Sequence, residues 1–106
     1  MNSREKGKRG ERELAQVLRE HGYDAHRGQQ YKGGADSPDV TGLPGVHIEC
    51  KRVERLDLMG AYEQSFRDAA GGEIPIVAHK RNREPWFVTL TLEDFLKIYG
   101  GSNDND

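Results

Sequence analysis

The stretch Val46-His47-Ile48-Glu49-Cys50-Lys51-Arg52 decides how this chain is read. Its β-branched residues, Val46 and Ile48, favour a strand. Side chains alternate faces along a strand. Val46, Ile48 and Cys50 therefore share one face, and His47, Glu49 and Lys51 share the other. The apolar face would back a core, leaving an acid and an ammonium two residues apart on the opposite side. Upstream, Pro38-Asp39-Val40 sets a second acid at the head of another strand. An acid-x-lysine on a strand is also how an exposed ion-pairing face reads. The residues that the rest of the chain brings to Glu49 and Lys51 decide between the two.

Towards the N-terminus, Gly42-Leu43-Pro44-Gly45 has the residues of a turn. It joins the stretch to a short strand, Asp39-Val40-Thr41, where Pro38 is tolerated as the opening residue. Gln29 to Ser37, with Gly33-Gly34 at its centre, reads as a mobile loop. Tyr23 to Gly28 reads as a strand with Ala25 and Arg27 on one face and His26 on the other. Residues 3–21 carry a helical stripe of Leu14, Ala15, Val17 and Leu18, and Gly22 is a natural stop. Glu11, three residues before Leu14 and seven before Leu18, continues that stripe, whereas Glu13 falls to the side. Either Glu11 points inward with the stripe, or it lies in an exposed first turn where an acid suits the helix dipole.

Towards the C-terminus, Arg55 to Ala70 reads as a second helix with Asp57 as N-cap. Met59, Tyr62, Phe66, Ala69 and Ala70 form its expected buried stripe, and Gly71-Gly72 ends it. Ile74 to Ala78 and Trp86 to Leu90 are apolar runs of strand length. Between them, His79 to Pro85 makes a polar turn with Lys80, Arg81 and Arg83. Thr91 caps a last helix with Asp94 three residues on, anchored by Phe95, Leu96 and Ile98. The order is α-β-β-β-α-β-β-α. The early strands are joined too tightly for a parallel crossover, and the second helix is long enough to carry one. The expectation is an α/β fold with a mixed five-stranded sheet flanked by helices. It forms one domain over residues 1–100, with a flexible acidic tail over 101–106.

Composition narrows the class. The chain has 106 residues, 34% hydrophobic and 32% charged. That allows one modest core with little spare stability, which favours dimerisation. The formal net charge of −2 excludes a polycation. Locally, however, Arg4, Lys6, Lys8, Arg9 and Arg12 face only Glu5 and Glu11, and such an arm can meet a phosphate backbone. Cations at a helix N-terminus oppose the dipole, a cost that points to a partner unless the arm is a solvated helix end. Cys50 is the sole cysteine, so no intramolecular disulfide and no cysteine zinc cluster can form. No run of about 18 apolar residues spans a membrane. The N-terminus lacks the apolar stretch of a signal peptide. A cytoplasmic protein is expected. No glycine-rich loop ends in the lysine-serine or lysine-threonine of a P-loop, so no nucleotide cofactor is expected. No helix carries a histidine pair at metal-ligand spacing, and no serine sits in a nucleophile elbow.

The acids and the lysine suggest a chemistry. Asp39 and Glu49 lie on adjacent strands and can converge. Two carboxylates plus a backbone carbonyl such as that of Cys50 suit Mg²⁺, with Mn²⁺ as substitute, and not zinc. Such an ion takes phosphate oxygens as ligands and acidifies a bound water. Lys51 would set an ammonium beside the same phosphate. Glu11 could reach the site as an outer ligand, through water. The basic arm and Arg27 would position phosphates, and Tyr31 and Lys32 in the loop could meet unpaired bases. Trp86 opens an apolar strand and reads as core. His47 reads as a strand-edge residue and Gln64 as part of a solvated helix face.

The ordered set Gly10-Glu11-Arg12-Glu13-Leu14, Arg27, Pro38-Asp39, Glu49-Cys50-Lys51 and Gly71-Gly72-Glu73-Ile74-Pro75 resembles the PD-(D/E)xK nuclease superfamily. Within it, the chain is most similar to archaeal-type Holliday junction resolvases and small phage endonucleases of that build, from about Lys8 to about Leu92. The resemblance implies a restriction-endonuclease-like core. It implies that Asp39 and Glu49 bind a divalent metal, that Lys51 acts on water and phosphate, and that Glu11 is the fourth catalytic residue. It also implies a homodimer that sets two sites on opposed strands of a four-way junction, in the cytoplasm of a bacterial, archaeal or phage-infected cell. The Gln29–Ser37 loop is longer than is usual in the resolvases, and the net charge is negative where many of them are basic. Branched DNA is therefore the first expected substrate. A nicking or end-processing nuclease on duplex or single-stranded DNA is the alternative, and a non-catalytic nucleic-acid-binding module of the same fold is another.

Overall fold

The computed structural model describes residues 3–28 and 37–101. Helix α1 spans Ser3–Glu20, strand β1 His26–Arg27, β2 Val40–Thr41 and β3 Val46–Arg52. Helix α2 follows over Leu58–Asp68, then β4 over Ile74–Lys80, β5 over Phe87–Thr89 and α3 over Leu92–Gly100. The strands form one sheet in the order β1-β2-β3-β4-β5. β1 to β3 are an antiparallel meander, β3 and β4 run parallel across α2, and β5 returns antiparallel to β4. The sheet is thus the mixed five-stranded α/β arrangement expected, with shorter outer strands than the apolar runs suggested. No described helix is long and apolar enough to cross a membrane.

The core lies between α1 and one face of the sheet. Leu14 and Ala15 pack on Ala25, Val40, Ile48, Cys50, Ile76 and Ala78, with Leu18, Val46 and Trp86 at the margin. The helical stripe of α1 and the Val46-Ile48-Cys50 face therefore meet as the alternation implies. Trp86 packs against this core as expected. Close approach of α1 to β3 depends on Gly10, which is buried. A Cβ there would stand 2.5 Å from the Arg52 Cβ, so any side chain would lift the helix from the strand. Gly28 is equally constrained, because a Cβ would run into the Pro38 carbonyl oxygen just ahead of Asp39.

The opposite face of β3 is not solvent-facing. α2 covers it, so His47 and Glu49 are buried as fully as Ile48. The buried residues of α2 are Ala61 and Ser65, and the predicted stripe is displaced: Met59 and Phe66 are each 64% exposed. The reason lies in what α2 covers. A polar sheet face needs hydrogen-bonding partners and small residues for close contact, not large apolar ones. Ser65 Oγ supplies both, within hydrogen-bonding distance of the His47 carbonyl (3.3 Å) and the Ile76 carbonyl (3.0 Å). His47, expected at a strand edge, instead lies in a central strand beneath a helix.

The helix caps match expectation. Asp57 accepts from the Gly60 N–H at 3.0 Å, and Thr91 from the Asp94 N–H at 3.1 Å. The anchoring of α3 does not. None of its residues is buried, and Leu92, Phe95, Leu96, Ile98 and Tyr99 are all about half exposed or more. Among the described residues, its apolar side finds too little to pack against.

Candidate active site

Glu11, Asp39, Glu49 and Lys51 line one open cleft at the edge of β3. Each arrives from a different constraint. The strand alternation that seats Ile48 in the core turns Glu49 and Lys51 to the other side. Asp39 is held at the head of β2 by its own backbone: its N–H donates to Ile48 O at 2.8 Å, and its carbonyl accepts from Gly28 N at 2.7 Å. Its side chain then replaces a strand neighbour, with Oδ2 accepting from the Cys50 N–H at 2.8 Å. The N–H and C=O of one strand residue point to the same side, so the Cys50 carbonyl also faces the Asp39 edge.

The electrostatics are those of crowded, buried acids. Glu49 is 4% exposed at its side chain, with Oε2 3.6 Å from Lys51 Nζ. Burial, followed by the charges of Asp39 and Asp68, raises its carboxyl to about 7, against the pull of Lys51. The Asp39 carboxyl is also raised, first by burial; the Cys50 N–H opposes that, and Glu11 adds to it. The Asp39 and Glu49 carboxyls lie close enough to act on each other. Carboxyls this close share a proton rather than both ionise, unless a cation lies between them. Burial and the surrounding acids push the Cys50 thiol well up, so it stays protonated.

Glu11 does reach the cleft, which excludes the exposed-turn alternative. Its side chain is 16% exposed, and Oε1 accepts from Arg27 Nε at 2.8 Å. Arg27 therefore meets the site through Glu11. Lys6 lines the cleft, whereas Lys8, Arg9 and Arg12 do not. Arg9 and Arg12 are exposed and Lys8 is half-buried. Tyr31 and Lys32 lie outside the described residues, as do the side chain of Arg4 and residues 102–106. Arg52, beside the cleft, is tied to Glu13 at 3.1 Å.

Three neighbours stand closer to the site than expected: His47 and Gln64 read in sequence as a strand-edge and a solvated-face residue, and Asp68 carries no expectation. Gln64 of α2 is half-buried and lines the cleft, instead of lying on a solvated face. Asp68 stands close enough to act on Glu49. His47 shares the Glu49 face and is 1% exposed. A signal existed: Ala61, Gln64, Ser65 and Asp68 recur at helical spacing. It is a small and polar stripe, which a search for apolar periodicity passes over.

The family model described as archaeal Holliday junction resolvase (Hjc) matches residues 2–97. No curated protein and no solved structure matches the chain significantly. The matched span takes in α1, the meander, the crossover helix and the first two thirds of α3, including every residue of the cleft. With that span and a mixed sheet carrying acid, acid-x-lysine and helix glutamate at one edge, the chain belongs to the archaeal Holliday junction resolvase family of PD-(D/E)xK nucleases.

Proposed function

We propose that this protein is a metal-dependent endodeoxyribonuclease acting on branched DNA in the manner of a Holliday junction resolvase. The observation that carries the reading is the meeting of Asp39, Glu49 and Lys51 in one cleft, on backbone that a strand ladder and the Cys50–Asp39 bond hold rigid. Membership of the resolvase family supports it.

The donor set fits a hard divalent cation. Asp39, Glu49 and the Cys50 carbonyl offer oxygens, the Cys50 thiol is protonated, and both acids are raised, first by burial and then by neighbouring acids, a cost that a cation would relieve. Mg²⁺, with Mn²⁺ as substitute, suits such oxygens. Bound there, the ion supplies Lewis acidity towards a phosphate oxygen and an acidified water. The protein's own groups do the rest. Lys51 sets its ammonium beside the scissile phosphate, where it offsets charge as the bond to the leaving oxygen breaks. Glu11, steered by Arg27, holds the attacking water as an outer ligand. Lys6, Lys8, Arg9 and Arg12, together with Arg4, Tyr31 and Lys32, contact the DNA. The protein acts in the cytoplasm.

Two opposed cuts in a four-way junction call for two sites, and the exposed side of α3 supports a homodimer. That apolar side, with Val88 of β5 in the same groove as Phe95 and Ile98, is what a second copy would cover. A two-fold interface buries the same patch on both partners. Sedimentation should give a dimer that Leu96→Glu converts to a folded monomer. A wild-type monomer at micromolar concentration would sink that part.

The test of function is cleavage of four-way junction, flap, nicked, single-stranded and linear duplex DNA with Mg²⁺. Paired symmetrical cuts confined to the junction are expected. Equal cutting of linear duplex would move the reading to the nicking or end-processing nuclease. DNA binding without cleavage in either Mg²⁺ or Mn²⁺ would move it to the non-catalytic binding module.

A further inference from the structure

Glu49 has a second side. The cleft lies towards Asp39, whereas α2 brings other groups to the opposite flank of the same carboxylate. One ring nitrogen of His47, one carboxylate oxygen of Glu49 and one of Asp68 lie within 4.8 Å of one another. Among the described residues this is the one such group of three histidine, cysteine or acidic side chains. Asp39 is not part of it.

The histidine is the informative member. It is 1% exposed, in a central strand, under a helix. Its Nδ1 lies 3.7 Å from Glu73 Oε1, beyond hydrogen-bonding distance. Its Nε2 is wholly buried with no hydrogen-bond partner. Buried polar atoms are nearly always paired, and one left unpaired on a histidine that is grouped with two carboxylates asks for an explanation. Ser65 accounts for the His47 carbonyl but not for the ring. Asp68, at the last turn of α2, is half-buried, so the cluster opens to solvent on that side.

We propose that His47, Glu49 and Asp68 form a second divalent-cation site, on the α2 flank of Glu49, for ions that accept nitrogen, such as Mn²⁺ or Zn²⁺, in preference to Mg²⁺. An imidazole with two carboxylates suits first-row transition ions, whereas Mg²⁺ prefers oxygen alone. A nitrogen at His47 Nε2 removes the orphaned buried atom. Ligand atoms about 2.1 Å from one ion stand roughly 3.0–3.5 Å apart, so atoms at the 4.8 Å limit must close by roughly 1.5 Å, a movement that asks for side-chain rotation. The charges agree. Glu49, Asp68 and Glu73 gather here, and Lys51, 3.6 Å from Glu49, is the cation already beside them. Glu49 becomes a shared ligand, and an ion on the α2 flank fixes its charge and orientation for the cleft. Binding of that ion does not depend on the protein being a nuclease.

The experiment uses the full chain stripped with chelator and titrated with Mn²⁺ or with Mg²⁺ by calorimetry. Pulsed electron paramagnetic resonance of bound Mn²⁺ then reads nitrogen coupling. Expected is one more Mn²⁺ than Mg²⁺ per chain, with imidazole nitrogen modulation in the Mn²⁺ echo. Asp68→Asn should lose that extra Mn²⁺ and the modulation while Mg²⁺ binding persists. Asp39→Asn should do the reverse. His47→Gln should match Asp68→Asn; if the buried substitution does not fold, the half-buried Asp68→Asn decides alone. Absence of nitrogen modulation, or an Asp68→Asn protein that binds Mn²⁺ as wild type does, overturns the proposal and leaves His47 as an ion-paired core histidine. A chain that cleaves no DNA yet shows the nitrogen-coupled Mn²⁺ overturns the nuclease reading and keeps this one.

Discussion

Asp39→Asn and Lys51→Ala should each lower the single-turnover cleavage rate of a four-way junction by about three orders of magnitude, with the fold intact. In barrier terms that is about 4 kcal/mol for each group. The two substitutions fail for different reasons. Asp39→Asn keeps an oxygen for the Cys50 N–H, which is 2.8 Å away, so β2 stays docked. It removes the charge that a hard cation needs beside Glu49. Lys51→Ala takes away an ammonium 3.6 Å from Glu49 and should leave Mg²⁺ affinity unchanged or slightly raised. The double variant should lose little beyond either single one, because groups that act on one phosphate are not additive. Thermal unfolding and circular dichroism check the fold, and Mg²⁺ titration separates the two defects. Cleavage within tenfold of wild type in both variants would remove the cleft from the mechanism.

The second large effect is on stability. In chelator, the protein should become less stable as pH rises from about 5 to about 8. Unfolded, the Glu49 carboxyl loses its proton near 4.5; folded, it keeps it to about 7. Between those values the folded state binds the extra proton, so stability falls with rising pH. The contribution is fully present below 4.5 and gone above 7. Asp39, also raised, acts in the same direction. At 1.36 kcal/mol per unit the Glu49 shift is worth on the order of 3 kcal/mol, or roughly 15 °C in Tm for a domain this small. Excess Mg²⁺ should flatten or reverse the trend, because ionised carboxylates bind it and only the folded state gathers them. Glu49→Gln should abolish most of the fall and raise the Tm at pH 8 in chelator. A flat Tm from pH 5 to pH 8 in wild type would mean that these carboxyls are already ionised without metal.

A buried pair of acids that destabilises the metal-free protein is what the proposed metal site calls for. The same residues would be poor structural ion pairs, since Lys51 is one cation against Asp39, Glu49, Asp68 and Glu73. On that proposal activity and stability pull in opposite directions, and a bound metal would reconcile them.

Much of this was legible in the chain itself. Alternation in Val46–Arg52 gave the strand and its two faces, because a period of two leaves no other assignment. The α1 stripe gave the packing of Leu14 and Ala15 and the inward direction of Glu11. Short turns before β3 and a helix after it gave an antiparallel meander followed by a parallel crossover. Asp39, Glu49 and Lys51 could be named because their spacing along two adjacent strands is a local property.

Tertiary structure alone decided what covers each face. Sequence patterning equates apolar with buried, and α2 breaks the equation. It lies on the polar side of β3, so Ala61, Gln64, Ser65 and Asp68 turn inward, while Met59 and Phe66 turn out. His47 became a buried residue for the same reason: its strand is central and sandwiched, which its neighbours in sequence cannot reveal. The failure of α3 to find a place in the core is the converse case. Its apolar side is plain in the sequence, but only the assembled sheet shows that the described residues offer it too little to pack against. Local periodicity determines which side chains travel together. Which surface they meet depends on elements far away in sequence, and so it was decided only when the chain had folded.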